Sequence, residues 1–201
     1  MTSQISNGVN QFNMVIVGTG GQGQITLLQL VAQAVLEEGY DIKTSELHGL
    51  SQRGGSVEVH LRFGKKINSP LISAGKADLI LGLEMQETLR AVPYSNPKTK
   101  FLISKYIVPI PLQKPLSEER ILNAFSQISK NIYVVPATDI CQKELGTSVT
   151  AGVFLVSLAV FKNLLPIKPA SVSKALKEIL PEKYLDLNLK TFELAKKHEK
   201  K

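Results

Sequence analysis

Apolar positions along this chain switch between two spacings, and the first switch falls at a cluster of glycines. Met14–Val17 is a short continuous apolar run, as a buried strand presents. Gly18, Gly20, Gly21 and Gly23 follow at once. From Gln24 to Glu38 the spacing becomes helical. Ile25, Leu28, Val31, Ala32 and Val35 are predicted to face a sheet, and Gly39 to close the helix as a C-terminal cap. Asp41–Ser45 suits a second strand, parallel to the first through the usual crossover. Ser56–Phe63 then alternates. Val57, Val59, Leu61 and Phe63 point one way and Glu58, His60 and Arg62 the other, which predicts a half-exposed strand, with a turn at Gly64–Lys66.

The same reading continues to the C-terminus. Ala77–Leu83 predicts a buried parallel strand, Glu84–Arg90 a short helix and Lys100–Ser104 another strand. Ile107–Pro115 contains Pro109, Pro111 and Pro115, so it suits neither a central strand nor a helix interior and reads as an extended crossing. Ser117 is an N-cap for a helix reaching to about Ser129, with Glu118 and Glu119 in its first turn. A strand at Ile132–Val135 precedes helices at Asp139–Leu145 and Ser148–Leu164, the second apolar almost all round and therefore buried. Ser171–Leu180 and Glu182–Lys200, separated by Pro181, complete a helical C-terminus. The expected fold is α/β: a mainly parallel sheet flanked by helices, opened by a glycine-rich strand-turn-helix. One domain is expected over 12–201, after a flexible polar N-terminus at 1–11.

Composition narrows the chemistry. The 201 residues are 43% apolar, enough for a sizeable core. The single cysteine, Cys141, excludes an internal disulfide framework and a Cys-ligated iron–sulfur cluster within one chain. His48, His60 and His198 show no metal-ligand spacing, so no metal is expected. Much of the +7 formal charge sits in the tail residues Lys196, Lys197, Lys200 and Lys201. No nucleic-acid-binding motif accompanies it, and no nucleic-acid partner is expected. Met1–Gln11 lacks the apolar core of a signal peptide. Val149–Phe161 is too short for a bilayer, which needs about 20 residues. No membrane partner is expected and the cytoplasm is the default location.

Two loops carry the candidate chemistry. Gly18-x-Gly20-x-x-Gly23 matches a dinucleotide fingerprint in strand-turn-helix context, and Glu46 falls near the end of the second strand, where a ribose-binding acid can sit. A nucleotide-hydrolysing P-loop is disfavoured, because Gln24 stands where its lysine is needed. Free N–H groups at the helix start remain available to a phosphate, whether or not the glycines serve only a tight turn. The second loop, Glu46–Gly55, offers Glu46 and His48 as candidate proton carriers, and Gln52, Arg53, Gly54 and Gly55 as candidate binding residues beside Gly18, Gly20, Gly21, Gln22 and Gly23. The plainer alternative is a surface loop in which Glu46 pairs with Arg53. Lone His60 and Cys141 read as structural.

The wording of these loops is recognisable. GTGGQG (Gly18–Gly23) and KTSELHGLSQRGGSVEVHLR (Lys43–Arg62) together resemble the gamma-type domain of 2-oxoacid:ferredoxin oxidoreductases. ELHGLSQRGGSV is most similar to the indolepyruvate branch of that family, in its beta-type subunits. The resemblance runs on through Ser69–Glu84, the proline-rich crossing and Leu187–Ala195, so it covers most of the chain. One departure falls after Glu144–Gly146: such subunits usually carry an asparagine near the start of the long helix, and Thr147–Leu158 contains none.

The resemblance implies a subunit of an arylpyruvate:ferredoxin oxidoreductase serving amino-acid catabolism and electron transport. Such enzymes oxidatively decarboxylate a 2-oxoacid to an acyl-CoA and reduce ferredoxin. Thiamine diphosphate and iron–sulfur clusters would lie in a large partner subunit, and ferredoxin would be reached through that partner. This chain would hold no cofactor alone, would be inactive in isolation, would contact coenzyme A at most, and could pair with a second copy when isolated. Two other readings stand beside it. One is a stand-alone dinucleotide-binding oxidoreductase; the other is a non-catalytic phosphate-ligand sensor or assembly module.

Overall fold

Met14, Val15, Ile16 and Val17 are all buried, because the strand they form has neighbours on both sides and cores on both faces. The computed structural model describes residues 8–48, 55–109 and 116–199. The strands are β1 (Gln11–Thr19), β2 (Asp41–His48), β3 (Ser56–Gly64), β4 (Leu79–Gly82), β5 (Lys100–Ser104) and β6 (Ile132–Val135). They form one six-stranded sheet in the order β2-β3-β1-β4-β5-β6. The helices are α1 (Gln24–Glu37), α2 (Met85–Arg90), α3 (Glu118–Ser126), α4 (Ala137–Leu145), α5 (Ala151–Phe161), α6 (Pro169–Ile179) and α7 (Glu182–Glu199). A short 3-10 turn lies at Val92–Tyr94.

Alternation along β1 feeds the two cores. Met14 and Ile16 join Leu61 and Phe63 of β3 under α1, α5, α6 and α7. Val15 and Val17 join Ile80, Phe101 and Ile103 under α2 and α3, where Met85, Ile121 and Phe125 fill the space. The parallel run β1-β4-β5-β6 therefore reads as continuous apolar sequence, as strands covered on both faces do. Mainly parallel is the right description, since β3 alone runs against the other strands.

Three expectations need correction. β2 runs in the direction of β1, as expected, but is not its neighbour. The connection 49–55 is short enough for a hairpin, so β3 folds back antiparallel to β2 and occupies the place beside β1. β3 is therefore an interior strand, and the face expected to be half-exposed is covered at His60, which is 1% exposed, while Glu58 and Arg62 stay half-buried. On α1, Leu27, Leu30 and Ala34 are buried with Leu28, Val31 and Val35, whereas Ile25 is 40% exposed and Ala32 half-buried. The stripe is displaced and widened because α6 and α5 pack on this helix as well as the sheet. Gly39 does follow the helix, in the left-handed region at φ 76°. In the proline-rich crossing, residues 107–109 have no regular structure and 110–115 lie outside the described residues.

Candidate functional site

The glycine loop joins β1 to α1 at the carboxyl edge of the parallel strands, where ligands of open α/β sheets bind. Two glutamines fix it from within. Gln22 Oε1 accepts the Thr19 N–H at 2.8 Å, and Gln22 Nε2 donates to the Leu83 carbonyl beyond β4 at 3.2 Å. Gln24, 3% exposed, donates from Nε2 to the Thr19 carbonyl at 2.8 Å. The residue in the place of a P-loop lysine thus turns back into the loop. Gly18 makes room for both amides, since a Cβ there would lie 2.5 Å from Gln22 Oε1 and 2.8 Å from Gln24 Nε2. Gly21 and Gly23 have φ of 102° and 79°, values that favour glycine.

The loop's N–H groups are divided. Gly20 donates to the Gly55 carbonyl at 2.8 Å, and Gln22 to the Thr19 carbonyl at 3.2 Å. Gly20 is therefore turned toward the second loop rather than toward a ligand. The N–H groups of Gln24, Ile25 and Thr26 open α1, which begins at Gly23 with no side-chain cap. The loop residues Thr19–Gly23, with Thr26 and Leu27 of α1, line a cleft of about 850 Å³, within the range of small-molecule sites. Its other wall is the turn Ser148–Thr150 and the start of α5, and its floor includes Leu83 and Ser104 at the ends of β4 and β5. Val149, Tyr184 and Tyr106 line the cleft and are 86%, 49% and 37% exposed. No Asp, Glu, Lys or Arg occurs among the described residues that line it.

Two buried hydroxyls belong to this lining: Ser104 Oγ has no hydrogen-bond partner among the described residues, and Thr150 Oγ1 is hydrogen-bonded with the Cys141 thiol. Burial pushes the neighbouring Cys141 thiol up, and the Thr150 hydroxyl beside it offsets this in part, so the sulfur stays protonated and unreactive. The candidate list from sequence contained neither hydroxyl. A serine closing the apolar strand KFLIS and a threonine opening an all-apolar helix were the available signals.

The structure brings only some of the expected residues together. Thr19 pairs with Ser56 in the β1–β3 register, so Gly55 meets the glycine loop and the two loops share one edge. Glu46 is exposed on β2 opposite Val59, and His48 ends that strand opposite Val57. β3 intervenes between both residues and β1, which removes the adjacency through which a strand-end acid reaches a ribose beside the glycine loop. Gln52, Arg53 and Gly54 lie outside the described residues. Among the described residues no group of three or more His, Cys, Asp or Glu side chains is placed to hold a metal ion, and no helix is long and apolar enough to cross a membrane.

Buried polar groups brace the site from the opposite face. His60 Nδ1 accepts the Ile72 N–H at 3.1 Å, which leaves Nε2 to donate to Glu58 Oε1 at 2.8 Å. The Tyr94 hydroxyl donates to the same oxygen at 2.8 Å. Burial would raise the Glu58 carboxyl, but the bonds from His60 and Tyr94 outweigh it and hold the group below its usual range. Burial and the Glu58 bond push Tyr94 up to about 12. Glu84, 1% exposed, accepts the Glu87 N–H at 2.6 Å and the Val108 N–H at 3.0 Å, tying the entry of the proline-rich crossing to α2. Its carboxyl is raised by burial, with those N–H donors opposing.

Comparison with known proteins decides the family. Residues 13–198 match the model of the pyruvate ferredoxin/flavodoxin oxidoreductase family. The chain belongs to that family. Within it, the chain is 32% identical over 189 residues to a protein of Archaeoglobus fulgidus named indolepyruvate oxidoreductase subunit IorB, covering 92% of this chain and 93% of the relative. Its fold resembles the gamma subunit of a keto/oxoacid ferredoxin oxidoreductase from Geobacter sulfurreducens, with TM-score 0.69 and 17% identity, over 94% of this chain and 98% of that one. It also resembles part of a 2-oxoglutarate:ferredoxin oxidoreductase from Magnetococcus marinus solved with 2-oxoglutarate, coenzyme A and succinyl-CoA, with TM-score 0.73 and 17% identity. There the match covers 95% of this chain but only 31% of the longer one. Family members are thus subunits or portions of larger oxidoreductases, and the edge bearing the glycine loop is built here on the same fold.

Proposed function

We propose that this chain is the small subunit of an arylpyruvate:ferredoxin oxidoreductase, with indolepyruvate as the favoured substrate. The observation that carries this reading is the 32% identity, over nearly the whole of both chains, to an indolepyruvate oxidoreductase subunit. Thiamine diphosphate and iron–sulfur clusters in a larger partner would supply oxidative decarboxylation to an acyl-CoA and the electron path to ferredoxin. With one cysteine, this chain cannot hold such a cluster itself. Its part is to shape one wall of the complex and to grip a phosphate-bearing ligand such as coenzyme A. The residues present fit a phosphate: the start of α1 has no side-chain cap, and the described residues lining the cleft include no carboxylate.

Arg53, with the N–H groups beyond Gly20, is the proposed receiver of phosphate or of the substrate carboxylate. In the assembled enzyme, Arg53→Ala is expected to raise the KM for coenzyme A or for the arylpyruvate at least tenfold, consistent with about 1.5–3 kcal/mol for a hydrogen bond to a charged group. Subunit assembly should be intact. Unchanged steady-state kinetics in the assembled variant would remove Arg53 from the site. The dinucleotide reading is weakened by the interposition of β3 between Glu46 and β1. The isolated chain is accordingly expected to bind neither NAD nor FAD tightly in a fluorescence titration.

A further inference from the structure

We propose that Glu84 is a positioning residue for the cleft: its carboxylate fixes Tyr106–Val108 in the lining, next to a glycine loop held by the same strand end. Glu84 lies between β4 and α2 and is 1% exposed. Its two oxygens serve different segments. Oε2 accepts the Glu87 N–H at 2.6 Å, which caps α2, and Oε1 accepts the Val108 N–H at 3.0 Å. The residues on either side of it also bridge segments. The Leu83 carbonyl accepts Gln22 Nε2 of the glycine loop at 3.2 Å, and the Met85 N–H donates to the Tyr106 carbonyl at 2.8 Å. Gln22, Leu83, Tyr106 and Val108 all line the cleft. Three consecutive residues thus set two parts of one lining against each other.

The choice of side chain separates this role from plain capping. Ser, Thr, Asp and Asn are the preferred N-caps, and each closes a helix start with an oxygen on a short stem. Glutamate is not among them, and burying its carboxylate costs free energy unless its oxygens are hydrogen-bonded. The longer stem lets the second oxygen reach Val108, 24 residues away in sequence. Glutamine could not do both tasks. An ionised carboxylate accepts at both oxygens, whereas an amide has one oxygen and an NH2 group that would meet the second N–H as donor against donor. Tyr106–Val108 needs such an anchor because it belongs to no strand or helix, so no ladder or helical turn fixes it. Tyr106 is 37% exposed in the lining, so displacing the segment alters the cleft. This inference rests on the reading of the cleft as the coenzyme A site, and names a residue that shapes it.

The test pairs kinetics of the assembled enzyme with amide hydrogen exchange, followed by NMR, in the full chain. Glu84→Ser keeps an N-cap for α2 and loses the reach to Val108. It is expected to speed exchange of the Val108 amide by about tenfold or more, while the Thr88 amide of α2 stays protected. In the assembled enzyme the same variant should raise the KM for coenzyme A by about tenfold without a matching fall in kcat, as loss of uniform binding does. Glu84→Gln, with one acceptor for two donors, should fall between the parent and Glu84→Ser in both readouts. Equal Val108 exchange in the parent and Glu84→Ser overturns the proposal, and so does a KM for coenzyme A that neither variant changes. Loss of Val108 and Thr88 protection together, or failure of both variants to fold, also overturns it, because Glu84 is then a structural cap alone. A parent enzyme without coenzyme A-dependent turnover refutes the reading of the cleft instead, and the exchange experiment still decides whether Glu84 holds the segment.

Discussion

Gly82→Ala is expected to lower the unfolding free energy by about 3 kcal/mol or more, the upper end for overpacking a core. Gly82 lies in β4, paired to Val17 on one side and Ile103 on the other. A Cβ there would overlap Thr88 Oγ1 and stand 2.9 Å from Thr88 Cβ and Cγ2. Neither side can yield cheaply. β4 is held between two strands, and Thr88 is 0% exposed with its hydroxyl donating to the Glu84 carbonyl at 2.6 Å. The strain also reaches the site, because the carbonyl of the next residue, Leu83, accepts from Gln22. Guanidinium unfolding should show a lower midpoint for Gly82→Ala, partly restored in the double variant with Thr88→Ala. A single variant as stable as the parent would show that the sheet and α2 are not packed this closely.

Glu58→Leu should cost a similar amount, about 3 kcal/mol, because it leaves the Nε2 proton of buried His60 and the hydroxyl of Tyr94 without their acceptor. Glu58→Gln keeps an acceptor oxygen and should cost clearly less. The pH dependence has two limbs of known sign. Glu58 is depressed from 4.5, so its contribution is present above that value and is lost as pH falls through its lower folded value. Tyr94 is raised from 10.0 to about 12, so its contribution is present below pH 10 and is lost as pH rises toward 12. Stability measured against pH should lose part of the acid limb in Glu58→Gln and part of the alkaline limb in Tyr94→Phe. Variant profiles parallel to the parent at both ends would mean that the network carries no stability.

The elements of this fold were legible because its central strands are buried on both faces and its helices carry their own punctuation. MVIV, ADLILGL and KFLIS could hardly be anything but core strands, and Ser117 caps α3 as expected, accepting the Arg120 N–H at 3.4 Å. Strand order was not legible, since local pattern carries no information about which neighbour a strand takes. The burial of His60 was hidden for a similar reason: Ile72 and Tyr94, which cover it, come from distant sequence. At the site, the glycines announced the loop, but the inward turn of Gln22 and Gln24 depends on carbonyls and N–H groups that only the folded backbone supplies. Ser104 and Thr150 carry no signal in sequence because each is unremarkable alone; only the fold sets both in the lining of one cleft.

The reading of this chain as an oxidoreductase subunit is tested most directly by capturing it from its native cell extract and assaying the eluate. The assay follows reduction of a viologen dye, dependent on indolepyruvate and coenzyme A, before and after this chain is removed and restored. The account predicts a large partner carrying thiamine diphosphate and iron–sulfur clusters, with dye reduction that needs both proteins. A chain that elutes alone, and binds NAD or FAD tightly by itself, would contradict it.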